Sequence, residues 1–211
     1  MTDVAGPDPV SRETILDRYF GDRREVIEEY ADFLATAGVE RGMIGPREAP
    51  RLWDRHLLNS VVVTPRVPEE ALVADVGSGA GLPGLVWAIS RPDIDVTLIE
   101  PLLRRTRFLD EAVERLGLPN VTIDRRRAED VDAAFDIVTA RAVAALRKLG
   151  RWCLPLVRPG GALLAMKGSS AVEELDAARA DLVNLGARTM VVETYGTDVL
   201  EVPTTVVEVT R

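Results

Sequence analysis

A chain of 211 residues, 46% hydrophobic and 28% charged, suffices for one globular domain with a full core and a small appendage. Its net charge of −8 argues against a nonspecific nucleic-acid coat, and its single cysteine (Cys153) excludes an internal disulfide and fits a reducing cytoplasm. One histidine (His56) leaves no zinc-ligand cluster, no apolar run is long enough to cross a bilayer, and the polar, acidic start has no signal-peptide core.

In chain order, the first residues, with Gly6, Pro7 and Pro9, read as disordered. Residues 11–37 read as one or two helices: Ser11 is a candidate N-cap, apolar residues from Ile15 to Leu34 recur at helical spacing, Gly21 can break the pair and Gly38 ends it. A basic loop with Gly42, Gly45 and Pro46 leads to a helix expected over 50–63, carrying RLWDRHLLNSVVV. From Leu72 strands and helices alternate, the pattern of a parallel sheet. Strands are expected at 72–76, 95–99, 121–124, 135–139 and 162–166. Helices are expected between them from Leu82 to Ser90, Leu102 to Leu116 and Val143 to Val157, the last followed by an RPGG turn at 158–161. A further helix, 171–185, precedes two closing strands, 188–194 and 204–210. A closing pair after five alternating units gives a mostly parallel sheet with an antiparallel last strand, the Rossmann-like sheet of class I S-adenosylmethionine (SAM)-dependent methyltransferases. Residues 1–70 form its N-terminal helical extension, packed on the core formed by 71–211.

The stretch LVADVGSGAGLPG, 72–84, runs from a buried strand through Gly77, Gly79, Gly81 and Gly84 into a helix, with Pro83 placed to suit its first turn. Glycines there let the chain turn sharply and bring backbone close to a ligand. Two patterns fit. Gly79, Gly81 and Gly84 make the G-x-G-x-x-G of dinucleotide sites, whereas G-x-G-x-G from Gly77, with Asp75 two residues before it, is the pattern of SAM sites. A carboxylate at the strand end suits the ammonium and sulfonium charges of SAM and sits poorly beside a pyrophosphate, which favours SAM over a nicotinamide cofactor.

Further candidates stand at strand ends. Glu100 closes the second strand, where a carboxylate can accept hydrogen bonds from both ribose hydroxyls of an adenosine cofactor. Ala128 and Glu129 follow the third, where a backbone N–H and a carboxylate could read an adenine. Arg141 follows the fourth and Lys167 ends the fifth, two cations that suit the phosphates of a substrate RNA or ion pairs with nearby acids. All but two of the 26 basic residues are arginine, and the clusters 104–107 and 125–127 suggest a basic collar on the same rim. His56, beside Trp53 and Leu57, reads as packing or a hydrogen bond, and Cys153 as core.

No Asn/Asp-Pro-Pro-Tyr/Phe motif follows the fourth strand, as methylation of an adenine amino group usually requires, and no cysteine is placed to attack a pyrimidine ring. What remains is a target already nucleophilic. Guanine N7 has an in-plane lone pair and no proton to lose, so no general base and no catalytic metal is expected, and Arg141 and Lys167 are positioning cations.

DVGSGAGLPG, LIEPLLRRTRFL, RAED, TARAV, RPGG and AMKG, in that order and spacing, with RHLLNS upstream, resemble the bacterial 16S rRNA guanine-N7 methyltransferase family known as RsmG or GidB. The resemblance runs from about Val26 to the end. It implies a cytoplasmic SAM-dependent enzyme that methylates one guanine of 16S rRNA, in the small-subunit particle or an assembly intermediate, and works as a monomer without membrane or metal. Carried over by motif, the cofactor contacts fall on Gly77, Leu82, Ala128, Glu129 and Arg141, with Glu100 at the ribose, and residue reading adds Asp75 and Gly79. RNA-side candidates are Arg55, His56, Arg104, Arg127, Arg141 and Lys167. Asn59 stands where the family often has Asp, and Arg104 where it can have Lys.

Overall fold

The computed structural model describes residues 10–211, in which apolar runs and amphipathic segments alternate to build one seven-stranded sheet covered on both faces. The start expected to be disordered lies outside the described residues. The strands are β1 (Leu72–Val76), β2 (Asp95–Ile99), β3 (Val121–Asp124), β4 (Phe135–Arg141), β5 (Val157–Lys167), β6 (Thr189–Tyr195) and β7 (Thr204–Thr210). They lie in the order β3-β2-β1-β4-β5-β7-β6; β1 to β5 run parallel and β7 is antiparallel to both its neighbours. Chain order reverses between β1 and β4, and in an open α/β sheet a ligand crevice opens beyond the carboxyl ends of the strands at such a switch point.

Alternation along β1 divides the core. Val73 joins a cluster on one face with Leu98, Ile137 and Val206, while Ala74 and Val76 join another with Val138, Leu163 and Val207. The first face is covered by α1 (Arg12–Phe20), α2 (Arg24–Phe33), α3 (Leu58–Val61), α4 (Gly84–Ser90) and α5 (Leu103–Leu116). The second is covered by α6 (Leu146–Cys153) and α7 (Ala171–Asn184). The N-terminal helices share the hydrophobic cluster of the sheet, as Ile27, Phe33 and Leu57 are buried in it. Three polar bonds tie them to the glycine loop and α4: the Tyr30 hydroxyl donates to the Ala80 carbonyl at 2.6 Å, Trp87 Nε1 donates to the Ser60 carbonyl at 2.8 Å, and Ser90 Oγ donates to the Tyr19 carbonyl at 2.7 Å.

Local expectations hold at α1, where Ser11 Oγ accepts from the Thr14 amide at 3.2 Å and Gly21 ends the helix at φ 45°. Others are corrected. α4 begins at Gly84, with Pro83 as its N-cap instead of inside the first turn. α2 runs on through a π-helical turn, Leu34–Gly38, and the expected helix over 50–63 contains another, Trp53–Leu57. α6 is shorter than expected because Pro155, which has no N–H to donate, sits in a 3₁₀ turn and Val157 already belongs to β5. The RPGG segment lies within β5 as a bulge: pairing jumps from Phe135↔Val157 to Ile137↔Ala162, and Gly160, at φ 86°, donates to the Arg211 carbonyl at 2.8 Å.

Candidate functional site

A cavity of about 650 Å³ opens at the carboxyl ends of β1, β2 and β4. Gly77, Gly79 and Leu82 of the glycine loop line it, together with Glu100 after β2, Ala128 and Glu129 after β3, and Arg141 at the end of β4. Every residue assigned to the cofactor from sequence stands on this wall except Asp75.

Asp75 is fully buried beneath the loop and does not line the cavity. Its Oδ2 accepts from the Gly84 amide at 3.0 Å, which anchors the start of α4 to the end of β1. Its Oδ1 has no partner among the described residues. Burial, only partly opposed by the Gly84 N–H, pushes this carboxyl up to about 7. The expectation that Asp75 meets the cofactor's positive charges is therefore corrected to a role in holding the loop. The same packing explains Gly84, where a Cβ would come within 2.4 Å of Leu98 Cδ2 and 2.7 Å of Asp75 Oδ2. Gly79 differs: at φ 59° it needs the left-handed conformation, and its missing Cβ meets nothing closer than a backbone oxygen at 3.7 Å.

Glu100 is 1% exposed and already heavily engaged. Oε1 accepts from the Leu102 amide at 3.1 Å, and Oε2 accepts from the Gly79 amide at 3.1 Å and from Arg105 Nη1 at 3.2 Å. A carboxylate offers about four lone-pair sites, so room remains for one ribose hydroxyl at Oε1. The second hydroxyl expected from sequence is accommodated only if Arg105, whose side chain is 41% exposed, swings aside. The carboxylate is thus preorganised by the loop it helps to hold.

Arg141 is not a free cation. Its Nη1 donates to the His56 carbonyl at 3.2 Å and to Ser60 Oγ at 3.3 Å, and its Nη2 donates to the Arg55 carbonyl at 2.7 Å and to His56 Nδ1 at 2.8 Å. The π-helical turn Trp53–Leu57 supplies three of these acceptors, two of them carbonyls that the widened turn frees for an outside donor. Burial first, and then the charge of Arg55, pushes the Arg141 guanidinium down from its ordinary value. Arg141 therefore straps β4 to the N-terminal extension. Because guanidinium can only donate, His56 Nδ1 is the acceptor and its proton sits on Nε2, which donates to Glu48 Oε2 at 3.0 Å. Burial, with Arg141 next, pushes the imidazole down, so His56 is neutral.

Lys167 is paired internally as well. Its Nζ donates to the Ala144 carbonyl at 2.6 Å and to Glu174 Oε2 at 2.8 Å, and only 9% of its side chain is exposed. The ion pair weighed for it from sequence is what the structure holds. In the arginine clusters Arg105 and Arg126 are tied to Glu100 and Asp124, whereas Arg104 and Arg127 are exposed and Arg127 lines the cavity. Arg55 has a half-exposed side chain. Cys153 is buried in α6, and burial pushes its thiol up.

A second, larger groove of about 1380 Å³ abuts the cavity. Glu48, His56, Arg141, Ala142 and Val143 line both. The groove also carries Arg12, Arg51 and Arg55, together with Asn59, Lys167 and Val202. Three participants were missed in the sequence. Glu48 is a lone acid in a glycine- and proline-containing loop, Ser60 is part of RHLLNS, and Tyr30 sits in a helical stripe. Only Glu48 carried a signal, an acid in an otherwise basic loop just upstream of the histidine motif.

A mostly parallel sheet with this strand order, a glycine loop after β1 and a buried acid after β2 on one cavity define a class I SAM-dependent methyltransferase. The fit to the cofactor rests on the open space at Gly79 and the lone-pair site left on Glu100. The model of the rRNA small subunit methyltransferase G (GidB) family matches residues 23–201, and the chain belongs to that family. It is 52% identical to Ribosomal RNA small subunit methyltransferase G of Salinispora tropica, covering 99% of this chain and 90% of that one. It is 53% identical to the protein of the same name from Thermobifida fusca, covering 100% and 87%. Among solved structures, the S-adenosylmethionine-dependent methyltransferase SibL superposes with a TM-score of 0.63 at 17% identity, covering 78% of this chain and 57% of that one, a likeness of fold. Among the described residues no helix is long and apolar enough to cross a membrane.

Proposed function

We propose that the protein transfers the methyl group of SAM to N7 of one guanine in 16S rRNA, within a small-subunit particle or assembly intermediate, acting as a cytoplasmic monomer. The observation that carries this reading is the junction of two spaces, a cofactor-sized cavity and a larger groove bordered by arginines, along a shared wall whose histidine has both ring nitrogens engaged. Bound in the cavity, SAM supplies an electrophilic methyl group. Glu100 and the Gly79 backbone hold the ribose side, while Ala128 and Glu129 stand where the adenine is read. Leu82, Ile99 and Leu102 contribute apolar wall that excludes water.

On the groove side the N-terminal extension faces the RNA. Arg55, Arg104 and Arg127 contact phosphate, and Arg141 and Lys167 act by fixing the extension and the segment after β4 instead of touching RNA. His56, neutral and with both ring nitrogens engaged, is no general base, and guanine N7 requires none because its lone pair lies in the ring plane and it bears no proton. Orientation of the base against the cofactor is then the main contribution of the protein. The reading is tested by incubating the protein with labelled SAM and either small-subunit particles or free 16S rRNA lacking the modification. Label in 7-methylguanosine is expected. Label confined to protein or a small molecule supports the alternative, a SAM-dependent methyltransferase with another substrate.

A further inference from the structure

Among the described residues Glu48 is the one acidic side chain on the wall shared by the cavity and the groove, and its surroundings fix both its charge and its orientation. Arg141 donates to His56 Nδ1 at 2.8 Å, which forces the imidazole proton onto Nε2, and Nε2 donates to Glu48 Oε2 at 3.0 Å. The carboxylate is thus held by one of its oxygens at the end of a chain anchored in β4. That hydrogen bond, with Arg55 and Arg51 adding to it, holds Glu48 below the usual carboxylate range, so it is ionised. Its side chain is 36% exposed, and among the described residues Oε1 is paired only with the Arg55 guanidinium, at 3.9 Å. Of about four lone-pair sites on the carboxylate, three remain open to donors.

Ionised carboxylate accepts hydrogen bonds and cannot donate them, which selects among the bases. Guanine alone of the four presents two adjacent donors on its Watson–Crick edge, N1–H and the N2 amino group. Adenine and cytosine place a ring-nitrogen acceptor beside their donor, and uracil flanks its one donor with two acceptors. The Watson–Crick edge also lies across the purine from N7. When N7 faces the cofactor cavity, the reader of that edge stands toward the groove, on the wall where Glu48 is found.

We propose that Glu48 is the residue that selects guanine, its carboxylate accepting from N1–H and N2–H of the target base while His56 and Arg141 position it. This deepens the methylation reading above and rests on it. His56 and Arg141 are positioning residues here, and only Glu48 touches the base.

The test compares wild type with Glu48→Gln, which keeps an oxygen acceptor for His56 but replaces the free carboxylate oxygen by a donor. The substrates are 16S rRNA and the same RNA ligated around an oligonucleotide that carries inosine, which lacks the N2 amino group, at the mapped target position. Glu48→Gln is expected to lower kcat/KM on guanine RNA by roughly tenfold or more, the effect of a charge-assisted hydrogen bond, with SAM affinity by calorimetry within about twofold of wild type. Inosine is expected to reduce wild-type transfer about tenfold and the variant much less, because the variant has already lost the contact. Equal inosine effects in both proteins, or unchanged transfer by Glu48→Gln, overturn the proposal. Should Glu48→Gln fail to fold, Glu48→Asp, with the same charge on a shorter arm, makes the same comparison. No methylation of guanine RNA by the wild-type protein refutes the underlying function instead, which separates the two failures.

Discussion

Removing the Glu100 carboxylate separates its two jobs, holding the loop and holding the cofactor. In Glu100→Ala the amides of Gly79 and Leu102 and the Arg105 guanidinium lose their acceptor. Arg105 can turn to solvent, since its side chain is 41% exposed, so the cost to folding comes mainly from two amides. Each buried donor left unsatisfied costs about 1–3 kcal/mol, and the two together lower stability by roughly 2–6 kcal/mol where water does not enter. Cofactor affinity falls separately, because the acceptor at the ribose is gone. One hydrogen bond to a charged group contributes about 1.5–3 kcal/mol, which weakens SAM binding by roughly 10- to 150-fold. Titration calorimetry on the folded variant reads the second effect and urea unfolding the first. Arg105→Ala is the control. It leaves Glu100 with an additional lone-pair site, so SAM affinity stays within about threefold of wild type. If Glu100→Ala binds SAM as tightly as wild type, the placement of the ribose at this carboxylate is wrong.

Asp75, pushed from 3.8 to about 7 by burial, keeps its proton in the folded state while the unfolded chain releases it. Its contribution to stability is therefore full in acid, declines by up to about 1.4 kcal/mol per pH unit between roughly pH 4 and 7, and is level above that. Asp75→Asn should flatten this part of a urea-unfolding pH series, and an unchanged slope contradicts the buried neutral acid. For RNA binding, Arg104→Ala and Arg127→Ala should each lower the slope of log affinity against log salt by about one or less. Lys167→Ala should leave that slope unaltered, because its ammonium is held by Glu174 and the Ala144 carbonyl; a slope change with Lys167→Ala shows that it reaches the phosphates after all. Single-turnover methyl transfer at saturating SAM and RNA should be flat between about pH 6 and 8, since His56 is neutral with both nitrogens occupied. A tenfold rise per pH unit that disappears in His56→Gln identifies a general base instead.

Strand positions and cofactor loop were legible because each rests on local pattern. The apolar run of β1, the glycines after it and the acid closing β2 lie within thirty residues of one another. The closing β6–β7 pair was also readable, and its antiparallel pairing follows from the short connection. What escaped was set by partners far along the chain. Arg141 meets acceptors some 85 residues away, in a π-helical turn that no hydrophobic period reveals. Asp75 was misplaced because sequence spacing does not say which side of the loop a side chain takes; the close approach of Gly84 to β2 decides it. RPGG has the composition of a turn, yet Gly160 and Gly161 serve a bulge that lets β5 continue past β4.

The most direct measurement of the central claim is mass mapping of 16S rRNA from cells with and without the gene encoding this chain. The expected result is one 7-methylguanosine present in the parent and absent without the gene, restored by wild type and not by Glu100→Ala. A 16S rRNA map identical in the two strains contradicts the assignment of this cavity and groove to guanine N7 methylation.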